Sequence, residues 1–123
     1  MQSYNQTTLI GRLTRDPEMK TLSDIQKTWF TLVVDRSYTK DDGERDTDFF
    51  QVVVWGKLAE ICKNYLQKGR LVLVEGQFQN RSYDKNGQKN YVTELIADKM
   101  QMMDFQRKEK PSESEVAPEL KVA

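Results

Sequence analysis

The sequence contains no histidine and a single cysteine, Cys62. Without histidine, His-based acid–base catalysis, Ser-His triads and His-ligated metal sites are excluded. One cysteine cannot form an internal disulfide or a zinc ribbon, and we expect Cys62 to be a small buried apolar residue rather than a nucleophile. A lone reduced cysteine is compatible with a cytoplasmic protein.

Acidic residues offer no replacement for the missing catalytic groups. Asp41, Asp42, Glu44, Asp46 and Asp48 cluster in one polar segment, but the spacing of a calcium-binding loop is absent. An enzyme would need a carboxylate pair elsewhere that binds a metal. We therefore expect a protein that is not an enzyme and that holds no metal or other cofactor.

The chain also lacks a long apolar run and an excess of either charge. No stretch approaches about 18 consecutive apolar residues, and the N-terminal sequence does not have the pattern of a signal peptide. The 19 basic and 19 acidic residues give a net charge of +0. This balance argues against a broadly basic surface, so a nucleic-acid partner would require locally placed basic groups together with other contacts.

Apolar periodicity predicts five strands, at residues 7–13, 27–38, 47–55, 70–83 and 89–103. Between the third and fourth strands, Leu58, Ile61, Cys62 and Tyr65 recur with helical spacing, which predicts a short helix that ends at residues 68–69. Gly11 and Gly76 indicate bends, and residues 84–87 a hairpin turn. This order predicts an all-β fold, a five-stranded Greek-key barrel of the OB type with one short helix between strands 3 and 4.

The C-terminal segment differs in composition from the rest of the chain. From Asp104 onward it is charged, contains Pro111 and Pro118, and shows no periodicity. We therefore expect one domain over residues 1–104, followed by a flexible charged tail over 105–123.

Aromatic side chains lie on the strand faces opposite the predicted core, or at strand ends. Such rings can stack with the bases of single-stranded nucleic acid without reading sequence, at about 1–3 kcal/mol per base. The alternative is that they pack in the core or in a subunit interface, and Trp29 is the position where this alternative is strongest. For the basic residues the alternative is an ordinary solvated surface. The predicted nucleic-acid-binding set is Arg12, Trp29, Tyr38, Phe49, Gln51, Trp55, Lys57, Lys68, Gln79, Arg81 and Tyr83.

Several motifs, in order from about residue 4 to 104, resemble the bacterial single-stranded-DNA-binding protein family. They are LIGRLTRDPE at 9–18, VVVWGKLAE at 52–60, YLQKG at 65–69 with VEG at 74–76, and YVTE at 91–94 with MQMM at 100–103. The resemblance implies an OB-fold that forms a homotetramer and wraps single-stranded DNA in replication, recombination and repair. It places the principal stacking positions on Tyr38, Phe49, Trp55 and Tyr83, and a basic position on Arg12. Trp29 has no aromatic counterpart in the family pattern, so no role carries over to it.

The chain departs from the family at its C-terminal end. Family members usually carry a glycine-rich linker and an acidic tip ending in Pro-Phe that recruits replication and repair enzymes, whereas this sequence ends in PELKVA. We expect DNA binding to be retained, while the recruitment of enzymes does not carry over. The alternatives are an OB-fold accessory module that docks protein partners, of the primosome type, and a module that binds RNA or sugars.

Overall fold

The computed structural model describes residues 2–37 and 41–103, and within them the chain forms six strands and one helix. The elements are β1 (Thr7–Leu13), β2 (Glu18–Leu22), β3 (Ile25–Asp35), β4 (Thr47–Trp55), α1 (Lys57–Tyr65), β5 (Leu71–Lys85) and β6 (Gln88–Met102). The sheet order is β1-β5-β6-β4-β3-β2, and β1 also pairs with β3. Five strands thus close an OB-type barrel, as predicted, with α1 between its third and fourth strands. The predicted boundary at residue 104 and the tail lie outside the described residues.

The barrel closes because β1 changes partner along its length. Its first part pairs with β5, from Thr7 opposite Gly76 to Arg12 opposite Leu71, and its end pairs with β3. Gly11 lies at this change of partner, where a Cβ atom would come within 2.5 Å of the Val33 carbonyl oxygen. A side chain at Gly11 would therefore separate β1 from β3, in agreement with the bend predicted there.

Alternation along the strands fills the barrel, as predicted. Phe30 and Leu32 of β3 and Val52 and Val54 of β4 are buried on the inner face. Thr28 is also buried there, and its hydroxyl donates a hydrogen bond of 2.7 Å to the Ala59 carbonyl oxygen of α1. This bond satisfies a buried polar group and ties the helix to β3.

The helix was predicted correctly, but its end and its buried face differ from the prediction. α1 ends at Tyr65 because Leu66 adopts an extended conformation (φ −96°, ψ 154°) and is itself buried. Cys62 and Ala59 are completely buried, whereas Ile61 and Tyr65, which belong to the apolar pattern that predicted the helix, are 37% and 60% exposed. Burial raises the pKa of the Cys62 thiol to about 12, which keeps it protonated and unreactive at neutral pH.

β2 was missed by the sequence prediction, which placed a break after Asp16 and Pro17 and began the next strand at Lys27. All five β2 residues are exposed, so the strand has no alternation of buried and exposed positions. The feature that defines β2 is the turn that follows it, in which Ser23 (φ 50°) and Asp24 (φ 68°) both have positive φ. Two such residues are typical of a type I′ hairpin turn, and they join β2 to β3.

The long β5–β6 hairpin matches its predicted turn. Asn86 and Gly87 have φ values of 52° and 79°, again as in a type I′ turn, and each strand has fifteen residues. The register shifts between Glu75 and Gly76, where a Cβ atom would overlap the Ile96 carbonyl oxygen. The extra residue is Asp98 of β6, and the bulge bends the hairpin, so that the first part of β5 lines the barrel and its second part forms one wall of an outer groove.

Candidate nucleic-acid interface

The outer face of β3 and β4 carries a row of aromatic side chains. Lys27 lies opposite Trp55, Trp29 opposite Val53, and Val33 opposite Phe49. Residues directly opposite each other in antiparallel strands point to the same side of the sheet, which is here the side away from the barrel core. Phe49 is 64% exposed and Trp55 is 42% exposed. Two large rings on the same face are therefore accessible to a ligand.

The β5–β6 hairpin supplies the facing wall. Gln79 lies opposite Glu94, Arg81 opposite Val92, and Tyr83 opposite Asn90, so the three predicted β5 residues share one side. That side meets β4 through the parallel β4–β6 pairing. The result is an open groove of about 470 Å³ lined by Lys27, Trp29, Gln51, Val53, Arg81, Tyr83, Val92 and Glu94.

Arg81 is held in the groove wall by Glu94. Its Nη2 and Nε donate hydrogen bonds of 2.8 and 3.2 Å to the two carboxylate oxygens, and the side chain of Glu94 is 11% exposed while that of Arg81 is 51% exposed. These bonds raise the pKa of the guanidinium, whose Cζ lies 5.8 Å from the centroid of the Tyr83 ring. The positive charge that was predicted to contact phosphate is thus balanced by a carboxylate. Glu94 had no predicted role.

Lys27 was also missing from the predicted site, although its ammonium group lies close to both tryptophan rings. Its Nζ is 5.5 Å from the ring centroid of Trp29 and 5.6 Å from that of Trp55. Both distances are within the range of cation–π attraction. The alternation of β3 had already placed Lys27 on the same side as Trp29, and this was the available signal.

The remaining predicted residues lie at the ends of the aromatic face or outside it. Arg12 lies across Val33 from Phe49, because each is opposite Val33 on a different neighbour of β3, and its Nη1 donates a 2.8 Å hydrogen bond to the Gly69 carbonyl oxygen. Lys68 precedes Gly69 and has an exposed side chain; its backbone N–H donates to Asp16. Lys57 is exposed at the start of α1 and does not line the groove. Tyr38 lies outside the described residues.

The groove offers several kinds of contact to a ligand. It combines aromatic faces, an amide, a balanced Arg–Glu pair and a lysine. Within residues 2–37 and 41–103, no group of three or more cysteine, aspartate or glutamate side chains could hold a metal ion. No helix in the same ranges is long and apolar enough to cross a membrane.

Comparisons with known proteins agree with this geometry. Residues 4–103 match the single-strand binding protein family. A single-stranded DNA-binding protein of Caldanaerobacter subterraneus subsp. tengcongensis is 50% identical over 102 residues, which cover 81% of this chain and 68% of that protein. Single-stranded DNA-binding protein 2 of Streptococcus agalactiae serotype V is 40% identical over 118 residues, which cover 95% and 90%. A solved structure titled "Plasmodium falciparum SSB complex with ssDNA" superimposes with a TM-score of 0.75 at 28% identity, covering 85% of this chain and 98% of that one.

Proposed function

The chain belongs to the single-strand binding protein family, and we propose that it binds and protects single-stranded DNA without sequence preference during replication, recombination and repair. We further propose that it acts as a binding protein and not as an enzyme, in the cytoplasm at the nucleoid. Base stacking on exposed rings supplies the affinity, and basic side chains contact the phosphates.

The exposed aromatic rings in the groove and on the β3–β4 face beside it carry this proposal. Phe49, Trp55 and Tyr83 are 64%, 42% and 43% exposed, and they come from β4 and β5, which are far apart in sequence. Exposed rings lose part of the favourable free energy of burial unless a ligand covers them. Every base has an apolar face, so a strand lying along the groove covers the rings whatever its sequence. Stacking also explains how a chain with a net charge of +0 binds a polyanion.

Titration of the intrinsic tryptophan fluorescence with poly(dT) tests the proposal, because Trp29 and Trp55 both lie on the groove face. We expect strong quenching that saturates at a fixed number of nucleotides per protomer. Duplex DNA and RNA serve as competitors. Displacement of poly(dT) by RNA at equal nucleotide concentration would favour an RNA-binding role, and the absence of any quenching would reject the proposal.

We also propose that the chain assembles through β1 into dimers and then into a tetramer. Residues 7–11 of β1 pair with β5 on one side, and among the described residues no strand pairs with their other side. An unpaired strand edge can accept a second copy of the same edge around a two-fold axis. Ile10 and Leu73, opposite each other on the outer side of β1 and β5, supply apolar surface for packing two dimers together.

Light scattering at micromolar protein concentration tests the assembly. We expect a mass of four chains, with two chains as the intermediate on dilution. Ile10→Glu is expected to stop assembly at the dimer, because it places a charge in the face between dimers. A mass of one chain combined with tight poly(dT) binding would reject this part of the proposal.

A further inference from the structure

The β2 strand contributes no buried side chain to the protein. Its five residues are all exposed, and the barrel closes without it through the β1–β3 pairing. Its two apolar side chains, Met19 and Leu22, remain 40% and 37% exposed, so β2 adds less hydrophobic free energy than the strands that fill the barrel. What β2 does provide is a second row of side chains beside β3, on the face that carries Trp29 and Trp55.

Two lysines face each other across this hairpin. Lys20 of β2 lies opposite Lys27 of β3, and Lys27 in turn lies opposite Trp55 of β4. The three side chains therefore form one transverse row on the outer face. Neighbouring strands are about 4.8 Å apart. Lys27 is therefore one strand spacing from the exposed indole of Trp55, and Lys20 is two strand spacings from it.

Neither lysine is neutralised by the part of the chain that the structure describes. No described carboxylate lies within 4.0 Å of either ammonium group, including Glu18, which shares the face and lies opposite Trp29. Like charges directly opposite each other weaken strand pairing. The hairpin therefore concentrates positive charge beside a stacking ring in a protein whose net charge is zero.

Lys27 is held in place by the two indole rings. Its Nζ lies 5.5 Å from the centroid of Trp29 and 5.6 Å from that of Trp55. A cation–π contact fixes the position of the ammonium without using its N–H donors in a charged pair, so these donors can still bind an anion. This arrangement gives Trp29 a role that base stacking alone does not require.

We propose that Lys20 and Lys27 form a phosphate-binding site of the β2–β3 hairpin, which holds the phosphodiester next to the base stacked on Trp55. Trp29 is a positioning residue that holds Lys27. The inference rests on the proposed binding of single-stranded DNA and extends the path of the strand from the groove across β2.

Salt dependence measures phosphate binding directly, and the test compares two double variants of equal charge. Lys20→Gln/Lys27→Gln removes the proposed site. The control, Lys63→Gln/Lys99→Gln, removes one lysine from α1 and one from β6, both outside the β2–β3 hairpin. Affinity for fluorescein-labelled oligo(dT) is measured by anisotropy. The log–log slope against salt falls by about 0.7 for each phosphate of a single strand that the protein no longer neutralises. For two phosphates the slope decreases by about 1.4, so the affinity advantage of the wild type shrinks about sevenfold between about 50 and about 200 mM salt.

The control variant is expected to keep the wild-type slope. Because Lys63 donates to the Pro17 carbonyl oxygen and Lys99 pairs with Glu75, melting and light scattering must show both variants folded and assembled as the wild type. Wild-type slopes in the Lys20/Lys27 variant, or equal decreases in both variants, would overturn the site while leaving DNA binding intact. A wild-type protein that does not bind oligo(dT) would instead reject the proposed function itself.

Two further variants test the individual roles. Lys20→Glu is expected to weaken oligo(dT) binding while leaving the melting temperature unchanged or higher, since it replaces a repulsive cross-strand pair by an attractive one. Trp29→Leu alone is expected to weaken oligo(dT) binding, whereas adding it to Lys27→Gln is expected to have little further effect. An equal loss in both backgrounds would mean that Trp29 contacts DNA directly, which would overturn its positioning role. Trp29→Phe, which keeps a ring, is expected to retain most of the affinity.

Discussion

Glu94→Gln and Arg81→Ala are expected to change DNA affinity in opposite directions, although each breaks the same ion pair. Glutamine keeps the size of Glu94 and removes the carboxylate from the groove, which leaves the Arg81 charge uncompensated. One additional phosphate contact would raise the affinity at low salt and steepen the log–log salt slope by about 0.7. Stability should change by no more than about 1 kcal/mol, because Arg81 is half exposed and water replaces much of the pair.

Arg81→Ala has the opposite consequence. It leaves the carboxylate of Glu94, 11% exposed, without the 2.8 and 3.2 Å hydrogen bonds that satisfy it. A buried acceptor left without its partner costs about 1–3 kcal/mol, and the open groove places the expected loss in the lower half of that range. Affinity should fall as well, because the groove then contains an unbalanced negative charge.

Anisotropy with labelled oligo(dT) at several salt concentrations measures the first effect, and thermal melting at fixed protein concentration measures the second. The Arg81→Ala/Glu94→Gln double variant should recover most of the stability lost in Arg81→Ala, because no charge is left buried. If Glu94→Gln weakened binding at an unchanged salt slope, the reasoning would be wrong. The pair would then act by orienting the wall of the groove and not by balancing its charge.

Three other predictions follow from single features. Trp55→Ala and Phe49→Ala should each weaken oligo(dT) binding by about 1–3 kcal/mol without lowering the melting temperature; unfolding with normal affinity per folded molecule would assign the ring to the core. Hydrogen bonding to Arg36 holds the pKa of Asp48 below its ordinary value of 3.8. The pair therefore stabilises the folded state above pH 3.8, and this stabilisation is lost as the pH falls through the lowered pKa. In Arg36→Ala, NMR titration should show that the pKa of Asp48 returns to its ordinary value. Cys62 should resist DTNB at pH 8 until the protein unfolds, and rapid labelling of the folded protein would contradict its burial.

Much of the barrel could be predicted from alternation alone. Phe30, Leu32, Val52 and Val54 repeat every second residue, and burying that set requires the opposite set to face outward. The outward position of Trp55 was therefore predictable without any knowledge of its partners. The same reasoning failed for β2, because a strand whose side chains are all exposed carries no apolar period.

The helix shows a second limit of periodicity. Ile61 and Cys62 are adjacent apolar residues, and helical spacing alone does not decide which of them faces the barrel. Ala59, which is too small to dominate a hydrophobic pattern, is completely buried, and Ile61 remains 37% exposed. The small residues Ala59 and Cys62 fit the space where the helix packs on the barrel. The size of that space depends on tertiary packing, which the sequence of the helix alone does not determine.

Charged groove residues were the hardest to predict. A lysine or glutamate on a strand is usually solvated, so residue type gave no reason to include Lys27 or Glu94 in the predicted site. Counting outward from the Asn86–Gly87 turn would have placed Glu94 opposite Gln79, and so on the same side as Arg81. Its proximity to β4, in contrast, depends on the parallel β4–β6 pairing, which no local signal indicates.

That parallel pairing also determines when the binding surface forms during folding. The β2–β3 and β5–β6 hairpins are local and can form early, whereas Gln51 and Glu94 come together only after the chain has passed through α1 and the whole of β5. A chain emerging from the ribosome therefore has its tryptophans before it has a groove. The groove forms only with this non-local pairing, so a partly folded chain that lacks it has the exposed rings without the second wall of the groove.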